Sequence, residues 1–173
     1  AHVLSENNKS KPVVLIGKDT RISGDMLEDA LSAGILAVGG NVIKVGVLPT
    51  PAVAYLVRHY NADVGVVISA SHNPFEYNGI KFFDNQGYKL SDELEDEIED
   101  ILMSRPEILP SPTGIGLGTR EYAEEALDDY LAFLTKTTTE KFGGIKVALD
   151  CANGAAYKAA PLAMLDLGAS LCI

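Results

Sequence analysis

Residues 64–83 read VGVVISASHNPFEYNGIKFF, and this stretch decides the fold. Val64–Ile68 is apolar and largely β-branched, which is typical of a strand buried on both faces. Residues 69–74, SASHNP, are small or hydrogen-bonding and end in proline, which predicts a tight loop. In open α/β sheets, ligands bind at the carboxyl ends of the strands. We therefore expect a ligand-binding loop at that edge of a sheet, with Ser71 exposed.

Strands and helices alternate upstream of this stretch. Residues 13–16 and 42–47 are short apolar strands. The helix after the first strand is expected to be capped by Ser23, and the helix after the second by Thr50. Short connections and right-handed crossovers would place these helices on the two faces of a mainly parallel sheet.

Downstream of the loop, residues 79–90 predict a hairpin and Ser91 starts a third helix. The acidic run at 92–100 is expected to be a solvated helix face rather than a metal site. The buried stripe of this helix is predicted to be Leu94, Ile98, Ile101 and Leu102. The predicted fold class is α/β: a three-layer α/β/α domain with a mixed, mainly parallel sheet, followed by the truncated start of a second similar α/β domain.

The predicted domain organisation follows from a change in composition. Residues 1–104 form the first domain, and residues 105–120, rich in proline and glycine, form a linker. Residues 121–173 would begin the second domain. A strand, a helix and half a strand cannot close a core, so we expect that domain to be truncated.

Composition excludes several classes of partner. The net charge of -10 argues against nucleic acid and against an anionic membrane, since both need a basic surface. No apolar run approaches the ~20 residues of a membrane helix. The two cysteines, Cys151 and Cys172, lack the spacing of a metal or redox site and are expected to be small buried thiols in a reducing cytosol. We therefore expect a cytoplasmic protein.

Ser71 could serve as a nucleophile, as a phosphate carrier or only as a polar residue that completes a turn. A serine hydrolase is disfavoured because the sequence lacks a G-x-S-x-G elbow, and adjacent Ser71 and His72 are poorly placed to pair. A phosphoryl carrier fits better, since it needs an exposed hydroxyl, backbone amides, nearby cations and room for a metal ion. The candidate cations are Lys18, Arg21, His72 and Lys81, although either lysine could equally be a solvated side chain.

The loop at 69–74 is similar to the TASHNP-like loops of the α-D-phosphohexomutase superfamily, in which the serine carries phosphate. Three segments resemble the bacterial phosphoglucosamine mutase branch of that superfamily. They are GKDTRISGDMLEDAL at 17–31, PTPAVAYL at 49–56 and ISASHNPFEYNGIKFF at 68–83. A fourth segment, ALDCANGAA at 148–156, is similar to the start of the family's second domain.

The resemblance implies roles for the candidate residues. Ser71 would be the phosphoserine and, through its phosphate, a ligand of Mg2+. His72 and Lys81 would line the site and help with proton transfer or charge, and Arg21 would sit nearby in the first loop. The family's opening strand is absent from this sequence, and so is the Asp-Gly-Asp-type loop that holds Mg2+. We therefore expect an N-terminal fragment that is inactive alone.

The implied reaction is the interconversion of glucosamine 6-phosphate and glucosamine 1-phosphate through a phosphoserine and a bisphosphate intermediate. It would feed UDP-N-acetylglucosamine and cell-wall synthesis. The partner is then a phosphorylated amino sugar, and a homodimer is left open. Two alternatives remain: a relative that acts on mannose or glucose phosphates, and a non-catalytic anion-binding module.

Overall fold

The computed structural model describes residues 11–172, in which strands and helices alternate along most of the chain. The strands are β1 Val13–Lys18, β2 Asn41–Val47, β3 Val64–Ile68, β4 Ile80–Asp84, β5 Arg120–Tyr122, β6 Lys146–Ala148 and β7 Ser170–Cys172. The α-helices are α1 Gly24–Ala37, α2 Thr50–His59, α3 Asp92–Ser104, α4 Ala126–Lys136 and α5 Ala159–Asp166. Short 3₁₀ helices lie at Pro106–Ile108 and Gly114–Gly116.

The main sheet has the strand order β4-β3-β1-β2-β5. Only β4 runs antiparallel to its neighbour in this sheet; β3, β1, β2 and β5 are parallel. The predicted mixed, mainly parallel sheet is therefore confirmed. Parallel order brings the carboxyl ends of β1, β2 and β3 to one edge, where the loops after β1 and β3 can meet.

Both faces of the sheet are buried. On one face Leu15 and Val67 pack with the apolar side of α2, and on the other face Val14, Ile16 and Val66 pack with α1. Every residue of β3 is buried, because a central strand between β1 and β4 is covered on both sides. The three-layer prediction for this sheet is confirmed, and it sets a rigid base beneath Ser71.

The helix starts agree with the sequence in part. Ser91 caps α3 as predicted, since its hydroxyl oxygen accepts a hydrogen bond from the Leu94 N–H at 3.4 Å. Ser23 occupies the N-cap position of α1 as predicted, but its side chain makes no capping hydrogen bond. Its hydroxyl instead donates to Asn78 Oδ1 at 2.6 Å, which joins the start of α1 to the segment after the serine loop.

Two further expectations need correction. The predicted buried stripe of α3 is wrong at Leu102, which is 63% exposed, whereas Ile101 is buried as predicted. The reason is that α3 stands away from the sheet and leaves an apolar groove of about 370 Å³ between α1, α3 and β3. The thiols also differ from the expected buried pair: both are free, Cys151 is half-buried and Cys172 is exposed.

The predicted domain division of 1–104, 105–120 and 121–173 stays a prediction, but the contacts suggest a later boundary. β5 pairs in parallel with β2. In the following helix α4, Tyr130 is buried in the same core as α2. We therefore propose that the first domain extends through α4. Strands β6 and β7 form a separate two-stranded sheet. Within residues 11–172, no helix is both long and apolar enough to span a membrane.

Candidate functional site

Ser71 lies in the loop that follows β3, at the carboxyl edge of the sheet. It is exposed, as predicted, and its backbone has a φ of 56°, in the left-handed region. Residues other than glycine, asparagine and aspartate rarely adopt this conformation, and it persists where surrounding contacts impose it. The loop therefore holds the Ser71 hydroxyl outward at some cost in backbone energy.

Ser69 has a different environment from Ser71. It is 8% exposed. Its hydroxyl oxygen accepts a hydrogen bond from the Ser71 N–H at 3.1 Å, and its own N–H donates to the Gly79 carbonyl at 2.9 Å. A Cβ on Gly79 would lie 2.9 Å from the Ser69 carbonyl oxygen, so the position just before β4 requires glycine. Ser69 is thus a supporting residue of the loop, and Ser71 is the serine that faces solvent.

His72 is exposed beside Ser71. Its Nδ1 atom is 3.5 Å from Ser71 Oγ, at the outer limit of a hydrogen bond. The expectation that these adjacent side chains pair poorly agrees with this distance. The exposed imidazole is accessible to a ligand that reaches the loop.

Arg21 lies beneath the same loop. Its side chain is 9% exposed, and it pairs with Asp19 Oδ2 through Nε at 2.9 Å. Its two terminal nitrogens donate to the carbonyl oxygens of Ser71, Asn73, Pro74 and Tyr77 at 2.6–3.0 Å. The structure therefore brings Ser71, His72 and Arg21 together.

The two candidate lysines lie on the strands that flank the end of β3, Lys18 on β1 and Lys81 on β4. Lys81 is exposed on β4 opposite Val67, and within residues 11–172 its ammonium group makes no hydrogen bond or ion pair. Lys18 is bound by acids of α1, at 2.5 Å from Asp25 and 2.7 Å from Glu28. Burial alone would lower the pKa of Lys18, but these hydrogen bonds outweigh burial and raise the pKa. Lys18 is therefore paired with the acids of α1, whereas Lys81 is available to bind an anion.

Comparison with known proteins places this site in a family. Residues 1–108 match the family model described as phosphoglucomutase/phosphomannomutase, alpha/beta/alpha domain I. The chain belongs to the phosphoglucomutase/phosphomannomutase family. Its matched segment contains all four residues predicted for the site, Arg21, Ser71, His72 and Lys81.

Named relatives in this family cover the whole chain. Phosphoglucosamine mutase of Ruminiclostridium cellulolyticum is 58% identical over 173 residues, and that of Clostridium botulinum strain Eklund 17B is 60% identical. The chain spans 38% of the length of each of these relatives. A solved phosphoglucomutase/phosphomannomutase family protein of Burkholderia thailandensis shares 25% identity with a TM-score of 0.78, over 98% of this chain and 36% of that one.

Sequence reasoning missed Asp19, the partner of Arg21. Its two carboxylate oxygens take the Arg21 backbone N–H at 3.0 Å and the Nε–H at 2.9 Å. The sequence Asp-Thr-Arg at 19–21 could have indicated this contact, because an aspartate side chain often accepts a hydrogen bond from the backbone N–H two residues further on. It also missed Thr20, whose hydroxyl donates to the Asn153 carbonyl and links this loop to the segment before α5.

Proposed function

We propose that the full-length protein containing this chain is a phosphoglucosamine mutase, an isomerase that interconverts glucosamine 6-phosphate and glucosamine 1-phosphate. The observation that carries the proposal is Ser71: an exposed hydroxyl in a left-handed turn at the carboxyl edge of the sheet. Relatives of that name at 58–60% identity support the same substrate class. Because they are longer than this chain, we propose the activity for the whole protein.

The chemistry assigned to Ser71 is reversible phosphoryl transfer. Phosphorylated Ser71 gives its phosphoryl group to a free sugar hydroxyl: the bond from phosphorus to Oγ breaks, and a bond to the sugar oxygen forms. The resulting bisphosphate turns over in the site. The phosphoryl group on the other sugar oxygen then returns to Ser71 Oγ. Such transfers depend mainly on positioning and on neutralising charge.

His72 and Lys81 have distinct proposed roles. The attacking sugar hydroxyl must lose a proton, and His72 lies beside Ser71 with its Nδ1 atom 3.5 Å from Oγ, so its imidazole is the proposed proton acceptor. Lys81 lies on the strand beside β3 and is unpaired among the described residues, so its ammonium group can offset charge on a phosphate.

The described residues do not by themselves supply the ligands of a Mg2+ site. Within residues 11–172, no group of three or more His, Cys, Asp or Glu side chains is placed to hold a metal ion. In the proposed enzyme a phosphate oxygen on Ser71 would be one Mg2+ ligand, and the other ligands would come from outside this chain. Bound there, the ion would offset charge on the transferring phosphoryl group.

We accordingly predict no turnover of glucosamine 6-phosphate by the purified 173-residue chain. Measurable turnover by that chain would contradict the prediction.

The substrate is tested on the full-length protein. Glucosamine 6-phosphate, mannose 6-phosphate and glucose 6-phosphate are supplied separately, and formation of each 1-phosphate is followed by phosphorus NMR. We expect the highest kcat/KM on glucosamine 6-phosphate. A higher value on either hexose phosphate would replace the proposal with the phosphomannomutase/phosphoglucomutase alternative. Absence of turnover on all three by folded, phosphorylated protein would favour an anion-binding module.

A phosphorylated amino sugar as partner and a location in the cytoplasm are parts of the same proposal. The net charge of -10 supports a small-molecule partner rather than nucleic acid or an anionic membrane. We leave a homodimer as a prediction, to be checked by the mass of the full-length protein in solution. Supply of UDP-N-acetylglucosamine for the cell wall would be the consequence of the reaction.

A further inference from the structure

Arg21 is a largely covered cation whose N–H donors are all occupied. A guanidinium carries five N–H groups, and those of Arg21 are all used. Nε donates to Asp19 Oδ2, one terminal nitrogen donates to the carbonyls of Pro74 and Tyr77, and the other donates to those of Ser71 and Asn73. With 9% of its side chain exposed, Arg21 has no N–H left to bind a phosphate.

The four carbonyl acceptors belong to one short loop that lies 50–56 residues further along the chain. One of them is the carbonyl of Ser71, the residue with the left-handed backbone. A strained φ persists where the surroundings over-determine it. The bond from Arg21 to the Ser71 carbonyl, together with the bond from the Ser71 N–H to Ser69 Oγ, fixes the peptide groups on both sides of the Ser71 Cα.

Asp19 fixes Arg21 in turn. The Asp19 carboxylate holds both the backbone N–H and the Nε–H of Arg21, at 3.0 and 2.9 Å. The backbone N–H of Asp19 donates to the carbonyl of Ile68 at 3.0 Å, at the end of the strand that leads to Ser71. The pair is therefore anchored to β3 itself, so the loop and its support share one rigid base.

We propose that Arg21, oriented by Asp19, is a positioning residue that holds the loop at 71–77 in the conformation that presents Ser71. It acts through the loop and does not bind the phosphate of the substrate. This proposal differs from the sequence-based expectation, which groups Arg21 with the catalytic cations. The inference rests on the proposed function for its kinetic consequence, but its structural consequence is independent of that function.

Lysine at position 21 separates the two roles. Lysine keeps the charge but has a single nitrogen with three N–H groups, which cannot span the four carbonyls and Asp19. If Arg21 served as a charge near phosphate, Arg21→Lys would retain much of the activity. If Arg21 positions the loop, Arg21→Lys loses the fork geometry and the loop relaxes although the charge remains.

The test compares Arg21→Lys, Asp19→Asn and the control Arg58→Lys in the full-length protein. Arg58 is an exposed arginine on α2, so Arg58→Lys makes the same chemical change at a site away from the loop. The first readout is hydrogen exchange at the amides of Ser71, Asn73 and Tyr77 without substrate, since all three are hydrogen-bonded within the loop. We expect faster exchange in Arg21→Lys, a smaller increase in Asp19→Asn and no change in Arg58→Lys.

The second readout is kinetic. A misplaced nucleophile should lower kcat on the order of 10²-fold in Arg21→Lys, while KM for glucosamine 6-phosphate stays near that of the wild type. Unchanged exchange in a folded Arg21→Lys protein would overturn the inference, and so would a raised KM with kcat retained. If Arg21→Lys fails to fold, the hydrogen exchange of Asp19→Asn, which keeps the guanidinium, decides whether the pair positions the loop. A wild-type protein inactive on every hexose phosphate defeats the proposed function, while the exchange result still decides the role of Arg21.

Discussion

At the scale of single residues, the contrast between Ser71 and Ser69 is decisive for the proposed chemistry. Ser71→Ala removes the exposed hydroxyl, so it should abolish nearly all turnover of the full-length protein and leave the fold intact. Ser69→Ala removes a buried acceptor of the Ser71 N–H, a change that typically costs about 1 kcal/mol, and should reduce activity only in part. Steady-state kinetics and phosphopeptide mapping measure both effects. Phosphate found on Ser69, or substantial activity in Ser71→Ala, would remove the carrier assignment.

The same residues show how far sequence alone reaches. The loop at 69–74, its exposed Ser71 and its place after a buried strand were predictable, because short-range patterns encode them. The contacts from Arg21 to residues 71–77 join positions 50–56 apart in sequence, and no local pattern encodes them. Lys18 was misleading for a related reason. It ends the apolar strand β1 just before the Arg21 loop, but its acidic partners lie in the first and second turns of the next helix.

At the scale of elements, α1 is attached to the sheet by a charged cluster of Lys18, Glu28, Lys44 and Asp29. Lys44 Nζ is 2.6 Å from Asp29 and 3.2 Å from Glu28, and its side chain is 3% exposed. Lys18 also contacts Glu28 Oε2, at 2.7 Å, while Glu28 Oε1 is buried with no hydrogen-bond partner among the described residues. A buried carboxylate that depends on two lysines makes this attachment sensitive to the loss of either one.

We therefore expect Lys44→Met to lower the free energy of unfolding by about 2–3 kcal/mol. This is at or just below the roughly 3–5 kcal/mol typical of breaking a buried ion pair, because Lys18 still contacts Glu28. Chemical denaturation measures the loss, with exposed Lys141→Met as the matched control. A change as small as that of the control would show that the pair contributes nothing net.

The pH dependence of this cluster has a definite sign. Burial would lower the pKa of Lys44, but hydrogen bonds to Asp29 and Glu28 outweigh it and raise the pKa above its ordinary value of 10.5. The stabilisation by Lys44 is therefore complete below that ordinary value and is lost as the pH rises through the raised pKa. Unfolding measured across the alkaline range should show a fall in stability that is shallower in Lys44→Met than in wild type.

The attachment of α4 was not predictable from its own sequence pattern. β5 is too short to carry a recognisable strand signal, and the apolar stripe of α4 does not reveal which sheet it covers. The structure supplies the partners: Tyr55 of α2 stacks on Phe133 of α4 at 4.0 Å between ring centroids, and Tyr60 donates to Asp129 at 2.5 Å. Such contacts between α2 and α4 support a first domain that extends beyond the linker.

Tyr130→Ala tests that boundary. Tyr130 is 5% exposed within the α2 core, and truncating a buried aromatic side chain costs about 3–5 kcal/mol. If α4 belongs to the first domain, the loss should raise hydrogen exchange in β1 and β3 as well as in α4. Tyr88→Ala, at a site that is 73% exposed, is the control. Exchange increased only after residue 120 would instead support a separate unit beginning there.

At the scale of the whole molecule, residues 11–172 form one open five-stranded sheet and a second sheet of two strands. In β6 and β7, Lys146, Ala148, Ser170 and Cys172 are exposed, and only Val147 and Leu171 are partly covered. An isolated pair of strands is marginally stable in water, and open strand edges invite pairing with another chain. The composition of residues 145–149 predicted a strand, but it could not show how little of that strand would be covered.

We predict that the amides of β6 and β7 exchange much faster than those of β3 in the isolated 173-residue chain, provided that it is monomeric. β3 lies between two strands with every residue buried, so its amides open only with the sheet, whereas β6 pairs on one side with β7. Hydrogen exchange with mass spectrometry, read together with the mass of the chain in solution, makes the comparison. In the full-length protein the same amides should gain protection, because further strands and helices can cover this sheet. Strong protection of residues 146–148 in a demonstrated monomer of the short chain would contradict the prediction, and protection that rises with chain concentration would indicate that a second copy pairs with the open edge.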